Sequence, residues 1–194
     1  MPTLYFDLGS PYAYLACERA ALLGPELEWE PVLLGAIFKL RGFGSWSATP
    51  ARVGRIAELE ARARRYGLPA LRAPAGWPSD GLEAMRCATW AKAEGRVEPF
   101  ARAAFRAQFV RGESLAGAGV LEACAGEADL EGERMLREVE GPAVKQALRQ
   151  GTQAAWEAGV RGVPSVRVGD SIFFGDDQLE LASAALGEVP TGPR

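Results

Sequence analysis

Histidine is absent from the 194-residue chain, and this absence excludes a large part of enzyme chemistry. No Ser-His-Asp or Cys-His arrangement, no histidine general base and no histidine metal ligand can form. The three cysteines, Cys17, Cys87 and Cys124, are too far apart for a CxxC pair or a zinc-type cluster, and they suit a reducing compartment. The sequence therefore predicts no metal site and no catalysis by imidazole.

Strong net charge and long apolar runs are missing as well. The 22 Lys and Arg against 25 Asp and Glu leave a formal charge of −3, so the chain has no general attraction for nucleic acid or anionic lipid. No apolar run approaches about 18 residues, and the opening MPTLYFDLGS lacks the basic stretch of a signal peptide. We expect a cytoplasmic protein of one domain, whole or split by an insertion, with no membrane span and no nucleic-acid partner.

Both ends of the chain carry strand signals. Residues 3–8 are short and rich in β-formers, and Ser10-Pro11 supplies an N-cap and a first-turn proline for a helix that we expect to run to Leu23. A second strand over residues 27–34 completes a βαβ unit, whose strands should be parallel neighbours. Near the other end, Gly169-Asp170 separates two short β-rich runs, residues 165–168 and 171–174, as in a hairpin, and a last helix follows over about residues 176–186.

The middle of the chain has helical periodicity instead, interrupted by stretches rich in glycine and proline. We predict an α/β fold: a thioredoxin-like core, residues 1–34 and 151–194, with an all-helical insertion, residues 35–150. The candidate helices of the insertion are residues 50–66, 80–94, 99–111, 116–124, 130–139 and 142–158.

Three segments that are far apart in sequence are the candidates for a functional site. They are FDLGSPYAYLA at residues 6–16, GVPS at residues 162–165 and FGDDQL at residues 174–179. In the predicted core, each falls at the carboxyl end of a strand or at the start of a helix. Open α/β sheets bind ligands at such positions, and unpaired helix N–H groups there favour anions. We therefore expect one cleft to collect all three segments.

In this order and spacing, the motifs resemble those of the kappa-class glutathione transferase and 2-hydroxychromene-2-carboxylate isomerase family, a branch of the DsbA-like thioredoxin-fold proteins. The similarity covers essentially the whole chain, including Phe38-Lys39 and residues 65–69. The resemblance implies glutathione as cofactor, a small electrophilic or aromatic-derived second substrate, and a homodimer.

The resemblance also implies roles for individual residues. Ser10 stands where thioredoxin relatives carry a nucleophilic cysteine, and it would be catalytic by hydrogen-bonding the sulfur of glutathione, a role compatible with capping the helix. Val163-Pro164 would be a cis-proline step whose Val163 backbone pairs with the cysteinyl part of the ligand, although most X–Pro bonds are trans. Asp176 and Asp177 would contact the γ-glutamyl end, whereas their position alone predicts a helix cap.

The sequence pattern indicates no single role for several other side chains. Four aromatic residues, Tyr12, Phe43, Trp46 and Trp77, could line an apolar pocket for a second substrate, although most aromatics in a helical block belong to the core. Isomerases of the family tend to carry an asparagine in the region matching residues 40–47, and this chain contains none. We interpret Arg62, Arg64 and Arg65 as a solvated helix face. Arg86 could meet a substrate carboxylate, but the sequence favours a surface ion pair.

Three hypotheses about function follow. The first is a glutathione-dependent isomerase or transferase in which Ser10 stabilises the thiolate. The second is a DsbA-like thiol–disulfide oxidoreductase family member, disfavoured because Ser10-Pro11-Tyr12-Ala13 occupies the CxxC place and because we expect Cys17 to be buried. The third is a non-catalytic module that binds a thiol peptide.

Overall fold

A mixed four-stranded sheet lies at the centre of the computed structural model, which describes residues 1–42 and 44–188. The spatial order is β2-β1-β3-β4, with β1 and β2 parallel and the two other pairs antiparallel. The predicted parallel pair and hairpin are confirmed. The strands are β1 Thr3–Phe6, β2 Glu28–Pro31, β3 Ser165–Val168 and β4 Ser171–Phe174.

Helices surround this sheet. All six candidate helices of the middle segment are present, with ends that differ by a few residues from the predicted ones. The α-helices of the described residues are α1 Pro11–Glu18, α2 Leu34–Arg41, α3 Arg52–Arg65, α4 Leu82–Ala93, α5 Val97–Arg106, α6 Ala118–Glu127, α7 Gly132–Glu138, α8 Pro142–Glu157 and α9 Leu179–Glu188.

Short helical turns extend several of these helices. The predicted first helix is divided at Arg19, since α1 ends at Glu18 and a 3₁₀ turn follows over Ala20–Leu23. The predicted last helix likewise consists of a 3₁₀ turn, Asp176–Gln178, followed by α9. A further 3₁₀ turn covers Trp46–Ala48, and α5 continues into a π-helical turn, Ala107–Arg111.

The prediction of a strand that extends to Leu34 is wrong: β2 ends at Pro31, and helix α2 begins at Leu34. Its N-cap residue, Leu33, has no side chain that could accept a hydrogen bond, so no local capping signal marks its start. Distant side chains accept the first amides instead: Thr152 Oγ1 takes the N–H of Leu33 at 3.0 Å, and Asp7 Oδ2 takes that of Leu34 at 2.8 Å. Because these acceptors come from other parts of the chain, local sequence does not show where α2 begins.

The core joins the sheet to the helical middle of the chain. Strand β1 is buried along its length, and the ring of Phe6 contacts Trp29 of β2 and Phe105 of α5, with centroids 5.8 and 6.0 Å apart. Edge and tilted aromatic contacts of this kind stabilise the core beyond the contribution of the buried apolar area. All four strands lie within residues 3–31 and 165–174, outside the predicted helical insertion. Helix α8, however, continues across the predicted boundary at residue 150. The division into a core and an insertion domain therefore stays a prediction.

No helix within residues 1–42 and 44–188 combines the length and the apolar character needed to cross a membrane.

Candidate functional site

Ser10 lies at the start of α1, in the turn that follows β1. Its backbone is extended, its Oγ accepts the N–H of Ala13 at 3.3 Å, and Pro11 occupies the first helical position, so the predicted N-cap is confirmed. Only 6% of Ser10 is exposed. Among the described residues, no acceptor takes the proton of its hydroxyl group. This O–H can therefore donate to a ligand at the helix N-terminus, where the helix dipole favours negative charge.

The Val163-Pro164 peptide bond is cis, as the resemblance predicts. Within the described part of the chain, neither the N–H nor the C=O of Val163 has a hydrogen-bond partner. The carbonyl of Pro164 accepts the N–H of Gly175 at 3.0 Å, which joins the cis-proline step to the loop before Asp176. The backbone N–H and C=O of Val163 are thus free to pair with the backbone of a bound peptide.

Gly175 begins the segment that carries the two aspartates. Its backbone angles, φ 117° and ψ 154°, belong to a region that only glycine adopts readily. A Cβ at this position would lie 2.6 Å from Oδ1 of Asp177, so the missing side chain also makes room for that carboxylate. Glycine at this position is therefore required for the placement of Asp177.

The two aspartates differ in environment. Asp176 is fully buried, and its carboxylate accepts hydrogen bonds from Arg62 at 2.8 Å and from the Tyr66 hydroxyl at 3.0 Å. Burial raises the pKa of Asp176, while Arg62 and Tyr66 act against this effect. The side chain of Asp177 is 43% exposed and lies 3.3 Å from the Arg62 guanidinium. Asp176 is thus paired inside the protein, and Asp177 carries the accessible carboxylate.

Arg62 is the site residue that sequence reasoning missed. The expected i,i+4 pair is present, with Glu58 at 2.6 Å, but the same guanidinium also reaches the two aspartates and the cleft wall. The nearer of its long-range partners, Asp176, is 114 residues away in sequence, so no local pattern reveals the contact. Arg86 forms the expected ion pair, with Glu140 at 2.5 Å.

All the predicted site residues line one cavity of about 320 Å³, as expected for a shared cleft. They are Ser10, Val163, Pro164, Asp176 and Asp177. Three arginines, Arg41, Arg55 and Arg62, stand in the same wall. A cavity with both carboxylates and guanidinium groups suits a ligand that carries charges of both signs.

A second cavity, of about 540 Å³, adjoins the first. The two share Ser10, Leu34, Phe38 and Trp46, and the larger one has a mostly apolar wall that includes Trp77. The rings of Trp46 and Trp77 are 5.8 Å apart, and Tyr12 packs edge-on against Trp46 within the smaller cavity. Three of the four predicted aromatic residues therefore line these cavities, while Phe43 is outside the described residues.

The three cysteines lie outside both cavities. Cys17, Cys87 and Cys124 are all free and buried, which confirms the expectation for Cys17. Burial raises the pKa of Cys17 well above its usual value and raises the pKa of Cys87 and of Cys124 to about 12. These thiols are therefore poor nucleophiles at neutral pH.

Comparison with known protein families identifies the family of this chain. The profile of the DSBA-like thioredoxin domain matches residues 3–187. The chain belongs to the DSBA-like thioredoxin domain family. Membership of this DSBA-like family confirms the predicted fold class, a thioredoxin-like α/β core combined with helices.

Two curated relatives agree with the resemblance seen in the motifs. This DSBA-like chain is 28% identical to 2-hydroxychromene-2-carboxylate isomerase of Sphingobium xenophagum, over 94% of this chain and 95% of that protein. It is 27% identical to glutathione S-transferase kappa 1 of Homo sapiens, over 98% and 92% of the respective chains. The resemblance is therefore confirmed.

Two solved structures share the fold of this chain. A 2-hydroxychromene-2-carboxylate isomerase superposes with a TM-score of 0.87 at 22% identity, covering 97% of this chain and 95% of that one. A probable DsbA oxidoreductase from Streptomyces coelicolor superposes with a TM-score of 0.72, also at 22% identity, covering 100% and 91%. At this level of identity, the likeness concerns the fold alone.

Proposed function

We propose that this protein is a glutathione-dependent isomerase or transferase in which Ser10 stabilises the thiolate of bound glutathione. One observation carries the proposal: the Ser10 hydroxyl, the unpaired backbone of Val163 and the Asp177 carboxylate meet in one cavity of about 320 Å³. The isomerase and the kappa transferase among the relatives support the same class of reaction.

The groups in the cavity fit a small thiol peptide in chemical type. The hydroxyl of Ser10 would hold the sulfur, and the free N–H and C=O of Val163 would pair with the cysteinyl backbone. The exposed carboxylate of Asp177 would accept the ammonium group of the γ-glutamyl end. Asp176, paired with Arg62 and Tyr66, would hold this wall in place rather than contact the ammonium group directly.

When bound, glutathione would supply the nucleophilic sulfur that adds to an electrophilic carbon. The Ser10 hydroxyl would donate a hydrogen bond to that sulfur at the N-terminus of α1 and so favour the thiolate. A hydrogen bond to a charged group contributes about 1.5–3 kcal/mol, and a helix N-terminus about 0.3–2 kcal/mol. Since one pKa unit equals about 1.4 kcal/mol, these terms are large enough to bring a thiol pKa from about 8.5 to about 7. No protein general base is required, which suits a chain without histidine.

The second substrate would bind in the cavity of about 540 Å³, because it adjoins Ser10 and is mainly apolar. Trp46 and Trp77 line this cavity and would pack against a small aromatic-derived electrophile. The wall shared by the two cavities would bring the reacting carbon to the sulfur, and orientation of this kind accounts for much of the rate of a two-substrate reaction. The homodimer and the cytoplasmic location stay predictions.

Calorimetric titration with glutathione tests the binding step. We expect saturable binding, and weaker binding of ophthalmate, the analogue with a methyl group in place of the thiol, because it offers Ser10 no sulfur. Absence of glutathione binding would end the proposal. Binding without product from any member of a panel of electrophiles would instead favour the non-catalytic module.

Thiol labelling separates the proposal from the oxidoreductase alternative. Because all three cysteines are buried and their pKa values are raised, we expect the native protein to react with Ellman's reagent far more slowly than the protein unfolded in guanidinium, which should release three equivalents. A thiol that reacts rapidly in the native state, together with reduction of insulin disulfides, would favour the oxidoreductase.

A further inference from the structure

Asp7 is a buried carboxyl group that has no role in the proposed reaction as described above. It follows β1 directly, is 9% exposed and contributes to the wall of the larger cavity. Burial raises its pKa, and hydrogen bonds from two backbone N–H groups act against this effect. A buried charge costs folding free energy unless it is hydrogen-bonded. The two hydrogen-bond partners of Asp7 therefore indicate its structural role.

The two carboxylate oxygens of Asp7 hold two different segments. Oδ1 accepts the N–H of Gly9 at 2.8 Å, and Oδ2 accepts the N–H of Leu34 at 2.8 Å. Gly9 directly precedes Ser10, whose own N–H donates to the backbone carbonyl of Asp7 at 3.0 Å. Leu34 is the first residue of α2. One side chain therefore connects the turn that carries Ser10 to the start of α2.

Helix α2 forms the wall between the two cavities. Its residues Leu34 and Phe38 line both of them. The helix lacks a local cap, and Thr152 of α8 holds only the preceding amide, that of Leu33. Among the side-chain hydrogen bonds of the described residues, the Asp7 carboxylate alone links α2 to the Ser10 turn.

We propose that Asp7 is a positioning residue that fixes the α2 wall relative to Ser10, so that the second substrate meets the sulfur in a reactive orientation. This role rests on the proposed function. It predicts that loosening the link impairs the second substrate more than glutathione, since the polar groups assigned to glutathione lie on Ser10, the cis-proline step and the aspartate segment, outside α2.

The variant Asp7→Asn tests the link with little change of shape. Its single carbonyl oxygen can still accept from Gly9 in a local turn, but its NH₂ group then faces the N–H of Leu34, donor to donor. We expect amide exchange over residues 34–37 to become about 5- to 100-fold faster, as when a buried donor loses its partner, with no change in α1. The KM for 1-chloro-2,4-dinitrobenzene should rise by about fivefold or more, while the Kd for glutathione changes by less than about twofold.

Two further variants complete the test. Asp7→Ser keeps a short acceptor for Gly9 but cannot reach Leu34, so it should reproduce the result if Asp7→Asn folds poorly. Asp129→Asn removes one negative charge from a turn that lines neither cavity, and it should leave the exchange of α2 and the KM unchanged.

The outcomes are distinct. Faster exchange in α2 with a raised KM and unchanged glutathione binding supports the positioning role. Unchanged exchange in α2, or a loss of glutathione affinity equal to the rise in KM, would overturn it. If the wild type binds no glutathione, the proposed function fails, whereas the exchange measurement still shows whether Asp7 holds α2.

Discussion

Replacing Ser10 with alanine is expected to raise the pKa of the bound glutathione thiol by about one to two units, because the hydrogen bond to a charged sulfur is worth about 1.5–3 kcal/mol. A pKa that rises from about 7 to between 8 and 9 lowers the thiolate fraction at neutral pH by about 5- to 50-fold. The rate with a saturating electrophile should fall by a similar factor. Stopped-flow absorbance of the thiolate and steady-state kinetics measure the two effects separately.

Loss of the helix cap accompanies this substitution and needs its own control. The Oγ of Ser10 accepts the N–H of Ala13, so Ser10→Ala should also lower the free energy of unfolding by about 1 kcal/mol. Ser10→Thr retains both the hydroxyl and the cap and should keep most of the activity. If Ser10→Ala loses stability but keeps the thiol pKa and the rate of the wild type, Ser10 is only a cap.

Replacing Arg62 with alanine should be the most destabilising of these changes, because it leaves the fully buried Asp176 carboxylate without its cation. Removing one partner of a buried pair costs about 3–5 kcal/mol, and the remaining hydrogen bond from Tyr66 favours the lower value. For a chain of this length, about 3 kcal/mol lowers the Tm by about 6–12 °C. Differential scanning calorimetry measures the shift.

The destabilisation should depend on pH in a defined direction. Without Arg62, the pKa of Asp176 in the folded state rises further above its unfolded value, so the folded variant binds a proton more readily than the unfolded chain. Stability of Arg62→Ala relative to the wild type should therefore recover as the pH falls through the raised pKa of Asp176. Arg64→Ala, on the exposed side of the same helix, should change the free energy of unfolding by less than about 0.5 kcal/mol. A loss for Arg62→Ala no larger than that control would contradict the pairing.

The parts of the site that sequence predicts are those with a local signal. Ser10 followed by Pro11 marks a helix start through capping and a fixed φ angle, and Gly169-Asp170 marks a hairpin turn, so both positions follow from neighbouring residues. Convergence of the three motifs follows from strand order once a βαβ unit and a hairpin are recognised.

The parts that sequence does not predict depend on contacts between distant segments. The start of α2 depends on Asp7 and Thr152, and the wall beside Asp177 depends on Arg62 reaching across from α3. A run of arginines on an amphipathic helix predicts only a solvated face, because side-chain partners more than one hundred residues away leave no local periodicity. Burial of Asp176 likewise follows from tertiary packing rather than from its place in the motif.

If the proposed function is correct, this chain lowers the pKa of a thiol that it does not itself contain. The most direct test is a pH titration of the ultraviolet thiolate absorbance of glutathione bound to the wild-type protein, with ophthalmate as the blank. We expect a thiol pKa near 7 for bound glutathione, compared with about 8.5 for an ordinary cysteine thiol. A bound thiol that titrates at its ordinary pKa would contradict it.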